Sequence, residues 1–379
     1  MKSASKLVLL LLVFALVTAC GKRGREDKPA VAPTRAIDFK IGIVTGTVSQ
    51  GEDEYRAAEA IKEKYGKDHV LHRTYPDNFM QEQDTTISQI VGLASDPAVK
   101  VIVIGQAIPG TVAAVRKVRE TRKDILFGFV EPHEDPPMVA ETADLAFQPN
   151  QQARGQTIVD AAKKMGATTL IHYSFPRHMS MELISQRANR MKERCEEVGL
   201  TYRSISAPDP MSEGGLPATQ QFVLEDVPRQ VKRHGKNVAF FSTNCGMQDP
   251  LIKSILEEGA IYTEPCCPSP THGFPTALGI AIPSDKAGDF AFINEQNAKA
   301  IAERGLAGRF ATWPVPAVIA AIRGATDLLV DSVEGKADHK DPATVKRYLT
   351  EAAGAGVELE LYDESMGNYW LMLMEQIIY

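Results

Sequence analysis

The sequence predicts an α/β protein built as two doubly wound, parallel-sheet lobes joined by a hinge. Three observations lead there. From residue 39 onward, short runs rich in Val, Ile and Phe alternate with amphipathic stretches, the pattern of βαβ units around a buried parallel sheet. The runs number about ten, more than one mononucleotide-binding half holds. The chain of 379 residues is 44% hydrophobic and 24% charged, ordinary globular values, and is long enough for two domains of about 150 residues each.

The strand candidates in order are residues 39–44, 69–75, 101–104, 125–130, 145–148, 168–173, 202–206, 238–242, 260–263 and 278–282. Runs such as Val101-Ile102-Val103-Ile104 carry no polar alternation, so both faces are expected to be covered. Between the strands lie helix candidates at 52–64, 80–94, 110–121, 151–165, 179–198, 217–234 and 247–258. The tail then breaks the alternation: 288–304, 315–330 and 342–352 read as helices, and 357–361 and 369–378 as edge strands or a final helix. A closed eight-stranded barrel fits neither the strand count nor this tail. Pro314 and Pro316 around Val315 stiffen a crossing between lobes. The expected lobes are 38–149 plus about 276–312, and 150–275 plus about 313–379, with hinge crossings near Asn150, Pro275 and Trp313.

Ahead of the body, Lys2 and Lys6 precede an apolar run from Leu7 to Val17 that ends in Thr18-Ala19-Cys20. A charged start, a short apolar core and a small-residue end make a secretory leader, too short to span a membrane. Its end also resembles the bacterial lipoprotein signal, which implies that residues 1–19 are removed and Cys20 is acylated. Residues 20–37 are charged, contain prolines and hold few large apolar side chains, the composition of a tether. The expected place is extracytoplasmic, lipid-anchored to a bacterial membrane. That setting removes chemistry dependent on cytosolic ATP or NAD. The net charge of −6, made more acidic by loss of Lys2 and Lys6, argues against nucleic acid as a partner.

Three stretches together resemble the type 1 periplasmic solute-binding proteins. Gln148-Pro149-Asn150, followed by Gly155, Ala161, Ala162 and Met165-Gly166, is similar to that family's strand end and following helix. Arg187, with Met191 behind it and Gly199-Leu200 closing the helix, is similar to the family's ligand arginine. The run 238–245 with Met247 and Gly259 is similar to the strand that ends in Asn-Asp. The match covers roughly residues 39–310. It implies a hinged receptor that closes on a small polar solute for an ABC permease or a membrane sensor. Asn244-Cys245 stands where the family has Asn-Asp, and a thiol cannot replace the bidentate carboxylate acceptor.

In open parallel sheets ligands bind beyond the carboxyl ends of the strands, so the candidate residues are sought there. Thr45 and Thr47 follow the first strand and open the helix that carries Tyr55; Gln106 follows the third; Glu131 and His133 follow the fourth; Asn150 follows the fifth. Ser174, Phe175 and Arg177 share the loop after the sixth, suited to a flat or anionic polar guest. Arg187, Asn244, Glu264 and Trp313 complete the set. The expected ligand is nucleoside-like or sugar-like, with stacking by Tyr55, Phe175 or Trp313.

Cys245 and the vicinal pair Cys266-Cys267 fall on neighbouring strand ends, and a disulfide between Cys245 and one of the pair is expected, with Cys195 apart. No CxxC or paired-His spacing supports a metal site, so neither metal nor cofactor is expected. The phosphate, nucleophile and zinc motifs GxxxxGK[ST], GxGxxG, GxSxG and HExxH are absent. The alternatives to a receptor are an extracytoplasmic enzyme using Glu131 and His133 as acid and base, or a structural lipoprotein without a small ligand.

Overall fold

The computed structural model describes residues 35–379. The leader at 1–19, Cys20 and most of the expected tether lie outside the described residues. Residues 35–37 belong to the body rather than to the tether. Arg35 pairs with Asp331 and, at 2.8 Å, with Glu334, while Ile37 is buried in the first lobe's core.

The chain first lays down β1 (Lys40–Thr45), α1 (Val48–Tyr65), β2 (Val70–Thr74), α2 (Gln83–Ala94), β3 (Val99–Gly105), α3 (Thr111–Arg119), β4 (Leu126–Val130), α4 (Pro136–Thr142) and β5 (Leu145–Pro149). It crosses to build α5 (Gln151–Lys164), β6 (Thr169–Ser174), α6 (Pro176–Met179), α7 (Glu182–Val198), β7 (Thr201–Ser206), α8 (Gly215–His234), β8 (Val238–Ser242), α9 (Gln248–Glu258), β9 (Ile261–Tyr262), α10 (Phe274–Leu278), α11 (Phe290–Glu303) and β10 (Ala311–Thr312). It then returns for α12 (Ala317–Val333), α13 (Pro342–Ala353), β11 (Glu358–Leu361) and β12 (Tyr369–Leu373), and crosses again to end on β13 (Ile377–Ile378).

The first sheet has the order β11-β12-β5-β4-β3-β1-β2, the second β7-β6-β8-β9, and β10 pairs with β13. All strands are parallel except the β11–β12 and β10–β13 pairs. The expected two-sided burial holds residue by residue. On β3, Val101 and Val103 enter the core under α1 and α12, whereas Ile102 and Ile104 enter the one under α2 and α3. On β8, Val238 and Phe240 face one side, Ala239 and Phe241 the other. Side chains alternate across a strand, so an all-apolar run fills both layers. Among the described residues no helix is long and apolar enough to cross a membrane.

Two expectations are corrected here. Residues 278–282 form no strand: α10 ends at Leu278 and Gly279 turns the chain in the left-handed region. The lobe assignment after residue 275 is reversed. Ile301 and Phe310 pack in the second lobe's core, whereas Trp313, most of α12, Leu349 and Trp370 pack in the first. The reason lies in α12, which is buried on nearly every side and lies against β3 and β4 of the larger sheet. Gly324 lets α13 approach it; a Cβ there would stand 3.2 Å from the Leu349 Cα. The crossings accordingly fall at Asn150, at 313–316 and at 374–376, and not at Pro275, which sits in α10.

Candidate functional site

The carboxyl ends of both sheets border one crevice. Two hollows, of about 130 and 70 Å³, open on it and share Gln106, Glu131, Cys245 and Cys267 as a common wall.

The first lobe supplies an acidic wall. Gln106 and Glu131, the residues just past β3 and β4, are the only non-glycine residues with positive φ among the described residues, at 52° and 49°. That conformation costs about 1–2 kcal/mol each and is kept where the fold over-determines it, characteristically at sites. Glu54 projects from α1 beneath them. Its carboxylate accepts from Gly46 N at 3.0 Å and from the Gln106 side chain. Glycine at 51 and 105 makes this possible, since a Cβ there would lie 2.4 and 2.9 Å from the Glu54 carboxylate oxygens. Burial pushes the Glu54 carboxyl up to about 8 despite those hydrogen bonds. Burial, with the Cys267 thiol alongside, also raises Glu131 well above the usual range. His133 is depressed to about 4, first by burial and then by Arg177, and is therefore neutral at pH 7.

The second lobe supplies a cationic and sulfur-bearing wall. Behind that wall, Arg154 on α5 forms a fully buried ion pair with Glu264 at 2.7 Å, and also donates to Gln151, which lines the crevice, at 2.9 Å and to the Pro265 carbonyl at 3.1 Å. Arg187 on α7 lies with its guanidinium 4.7 Å above the Phe241 ring and donates to Gln151 at 2.6 Å. Burial and the neighbouring Arg154 lower it to about 9. Three sulfurs meet at the strand ends: Cys245 stands 3.2 Å from Cys266 and 3.5 Å from Cys267, and the vicinal pair are 3.9 Å apart. His272 completes a group whose four donor atoms lie within 4.8 Å of one another. Cys267 reaches across the crevice to donate to Glu131 at 3.2 Å.

Several buried polar atoms on this crevice have no protein partner. They are Asp53 Oδ2, Glu131 Oε1 and Gln148 Oε1 from the first lobe, and Arg187 Nε and Nη2 from the second. Buried polar atoms are nearly always hydrogen-bonded, so a cluster of exceptions drawn from two lobes sets this crevice apart.

Of the sequence-predicted residues, Gln106, Glu131, His133, Arg177, Arg187 and Asn244 line the crevice. Arg177 forks onto Asp209 at 2.9 Å through Nε and Nη2, which commits that edge of its guanidinium. Asn244 accepts from Gly246 N at 2.9 Å and caps the turn Cys245–Met247. The others serve the fold. Thr45 bonds His72, Thr47 bonds Asp77, and the Tyr55 ring lies 5.0 Å from His72, outside the crevice. Asn150 caps α5 and donates to Glu360 at 2.5 Å. Ser174 bonds Thr243, Phe175 is core, Glu264 is taken by Arg154 and Gln376, and Trp313 is fully buried at the crossing. No aromatic platform for stacking is therefore formed by Tyr55, Phe175 or Trp313. The expected disulfide is also absent: Cys245 comes beside both members of the pair, but all four described cysteines are free thiols.

Sequence reasoning missed Glu54, Gln148, Gln151 and His272. Glu54 did leave a signal: it shares a helical stripe with Ala57, Ala58 and Ile61, and a carboxylate on an apolar face needs a reason.

Residues 39–311 match the model of a family described as "Protein of unknown function (DUF3798)". An uncharacterized protein of Treponema pallidum (strain Nichols) is 37% identical over 210 residues, covering 54% of this chain and 94% of its own. Among solved structures, a protein from Clostridium difficile 630 described as a candidate transcriptional regulator superposes with TM-score 0.74 at 26% identity, over 90% of this chain and 99% of its own. A sugar ABC transport substrate-binding protein from Bordetella parapertussis 12822 gives 0.54 at 10% identity, over 92% and 90%. A carbohydrate transporter from Acidothermus cellulolyticus 11B, in complex with myo-inositol, gives 0.50 at 12% identity, over 79% and 88%. The fold is that of the type 1 periplasmic binding proteins.

Proposed function

The chain belongs to the DUF3798 family, and from its two-lobed fold and its crevice we propose that it is a solute receptor rather than an enzyme, closing on one small polar molecule between its lobes. The observation that carries this reading is the set of unpartnered buried atoms on one crevice: Glu131 Oε1 and Gln148 Oε1 facing a guest's donors, and Arg187 Nε and Nη2 facing its acceptor. A polyol, amino acid or nucleoside offers both kinds of group. Each group so satisfied recovers the penalty of a buried, unpaired polar atom, about 1–3 kcal/mol. Because the two sets sit on different lobes, a guest that bonds both favours the closed arrangement, and differential affinity is what drives closure.

The leader ending at Cys20 fits a receptor held at a bacterial membrane by lipid, outside the cytoplasm, with an ABC permease or a membrane sensor as its downstream partner. Thermal-shift screening of the purified protein against polyols, amino acids and nucleosides tests the reading. A true ligand at a hundredfold excess over its Kd adds about 2.7 kcal/mol of stability. No stabilisation by any member of the three classes would overturn it.

A further inference from the structure

We propose that Cys245, Cys266, Cys267 and His272 form a binding site for one thiophilic metal ion, of the zinc or cuprous class, in the second lobe's wall of the crevice. The sulfurs are 3.2, 3.5 and 3.9 Å apart. A tetrahedral ion with metal–sulfur bonds of about 2.3 Å holds its sulfurs roughly 3.8 Å apart, so shifts of about half an ångström or less seat it. The donor set is sulfur and imidazole without carboxylate, which suits zinc and cuprous copper and disfavours magnesium and calcium.

The backbone holds these donors before any ion arrives. Asn244 caps the turn that carries Cys245. Gly246 leaves room there for Leu216, whose Cδ1 would stand 2.2 Å from a Cβ at that position. On the other side, Pro265, Pro268 and Pro270 stiffen the loop that carries the vicinal pair. That loop is pinned by Ala317 N to the Pro268 carbonyl at 3.0 Å and by Asn297 to the Pro270 carbonyl at 2.8 Å. Ser269 Oγ then accepts from Thr271 N at 3.1 Å and His272 N at 3.2 Å, folding the chain back so that His272 joins the sulfurs. All four donors come from one lobe, so lobe closure is not needed to assemble the site. Glu131 is the first-lobe group in contact with it, bonded to Cys267 at 3.2 Å. The inference stands on this geometry alone and does not require the solute-capture reading.

The test is Co²⁺ titration of the full chain, purified reduced and without oxygen, with no solute present. The expected result is uptake of one equivalent with sulfur-to-cobalt charge-transfer and tetrahedral bands, displaced by Zn²⁺. Cys245→Ser and Cys267→Ser should each weaken Co²⁺ binding at least tenfold and reduce the charge-transfer band. His272→Gln should weaken binding while keeping that band. Cys195→Ala, in the core of the second lobe away from the cluster, should bind as the parent does. Far-UV circular dichroism of each metal-free variant checks that it folds. No sulfur-to-cobalt band in the reduced parent, or a band unchanged in Cys267→Ser, would overturn the site. So would mass mapping that finds Cys245 bonded to Cys266 or Cys267 in a form that reductant does not open. None of these outcomes touches the metal-free solute screen, so the two readings fail separately.

Discussion

The two walls of the crevice solve the problem of buried polarity in opposite ways. On the first lobe, Glu54 and Glu131 have no cation bonded to them, and burial raises both carboxyls so that the neutral form is favoured. On the second lobe the charges are kept: Arg154 faces Glu264 with both side chains fully buried, and Arg187 stays cationic at pH 7 although burial lowers it to about 9. A carboxyl can shed its charge by taking a proton at moderate cost, whereas a guanidinium cannot do so near neutral pH and must find partners. The consequence is a crevice with one adaptable wall and one fixed wall. A guest therefore places its acceptor against Arg187 and adjusts its donors to the carboxyls opposite.

The largest effect that would break this comparison is on the fixed wall. Arg154→Met leaves Glu264 buried without its cation, and is expected to cost about 3–5 kcal/mol in chemical denaturation. A loss below 1 kcal/mol would mean that the pair is not the keystone of that wall.

The adaptable wall is read by pH. The Glu54 carboxyl is raised in the folded state from its usual 4.5 to about 8, so the native state holds a proton that the unfolded chain releases. Its contribution is fully present below pH 4.5 and is lost as pH rises toward 8, by roughly 3 kcal/mol between pH 4.5 and 7. In Glu54→Gln that downward slope should flatten, as followed by unfolding midpoints across the range. An unchanged slope would remove Glu54 as its source.

The smallest effect separates binding from stability on a single residue. Arg187→Met should cost a true ligand tenfold to a hundredfold in affinity, the worth of a charge-assisted hydrogen bond. Stability should hold or rise, because an under-satisfied buried cation is gone. Titration calorimetry beside a melting curve decides it.

Much of the fold was legible because period-2 and period-3.6 patterns are local. Val101–Ile104 announced a strand covered on both faces, and β6, β7 and β8 fell within a residue or so of the runs that named them. The run 278–282 failed because a short apolar stretch does not declare its period, and Pro275 and Gly279 instead confine a single helical turn. The candidate site was half legible. Strand-end position found Gln106, Glu131 and Asn244, because the topology directs ligands there, and the family resemblance found Arg187. It also drew in Phe175 and Trp313, since an aromatic near a strand end reads alike whether it faces a guest or the core.

By itself the sequence determined most of the element types and their alternation, which follow from neighbours along the chain. Only the tertiary structure decided which lobe owns each tail segment, which arginine is left with unpaired donors, and that three sulfurs and an imidazole converge without a disulfide. Those outcomes depend on which surfaces are buried against which. A pattern along one chain says that a face must be covered, and the packing of distant segments decides what covers it.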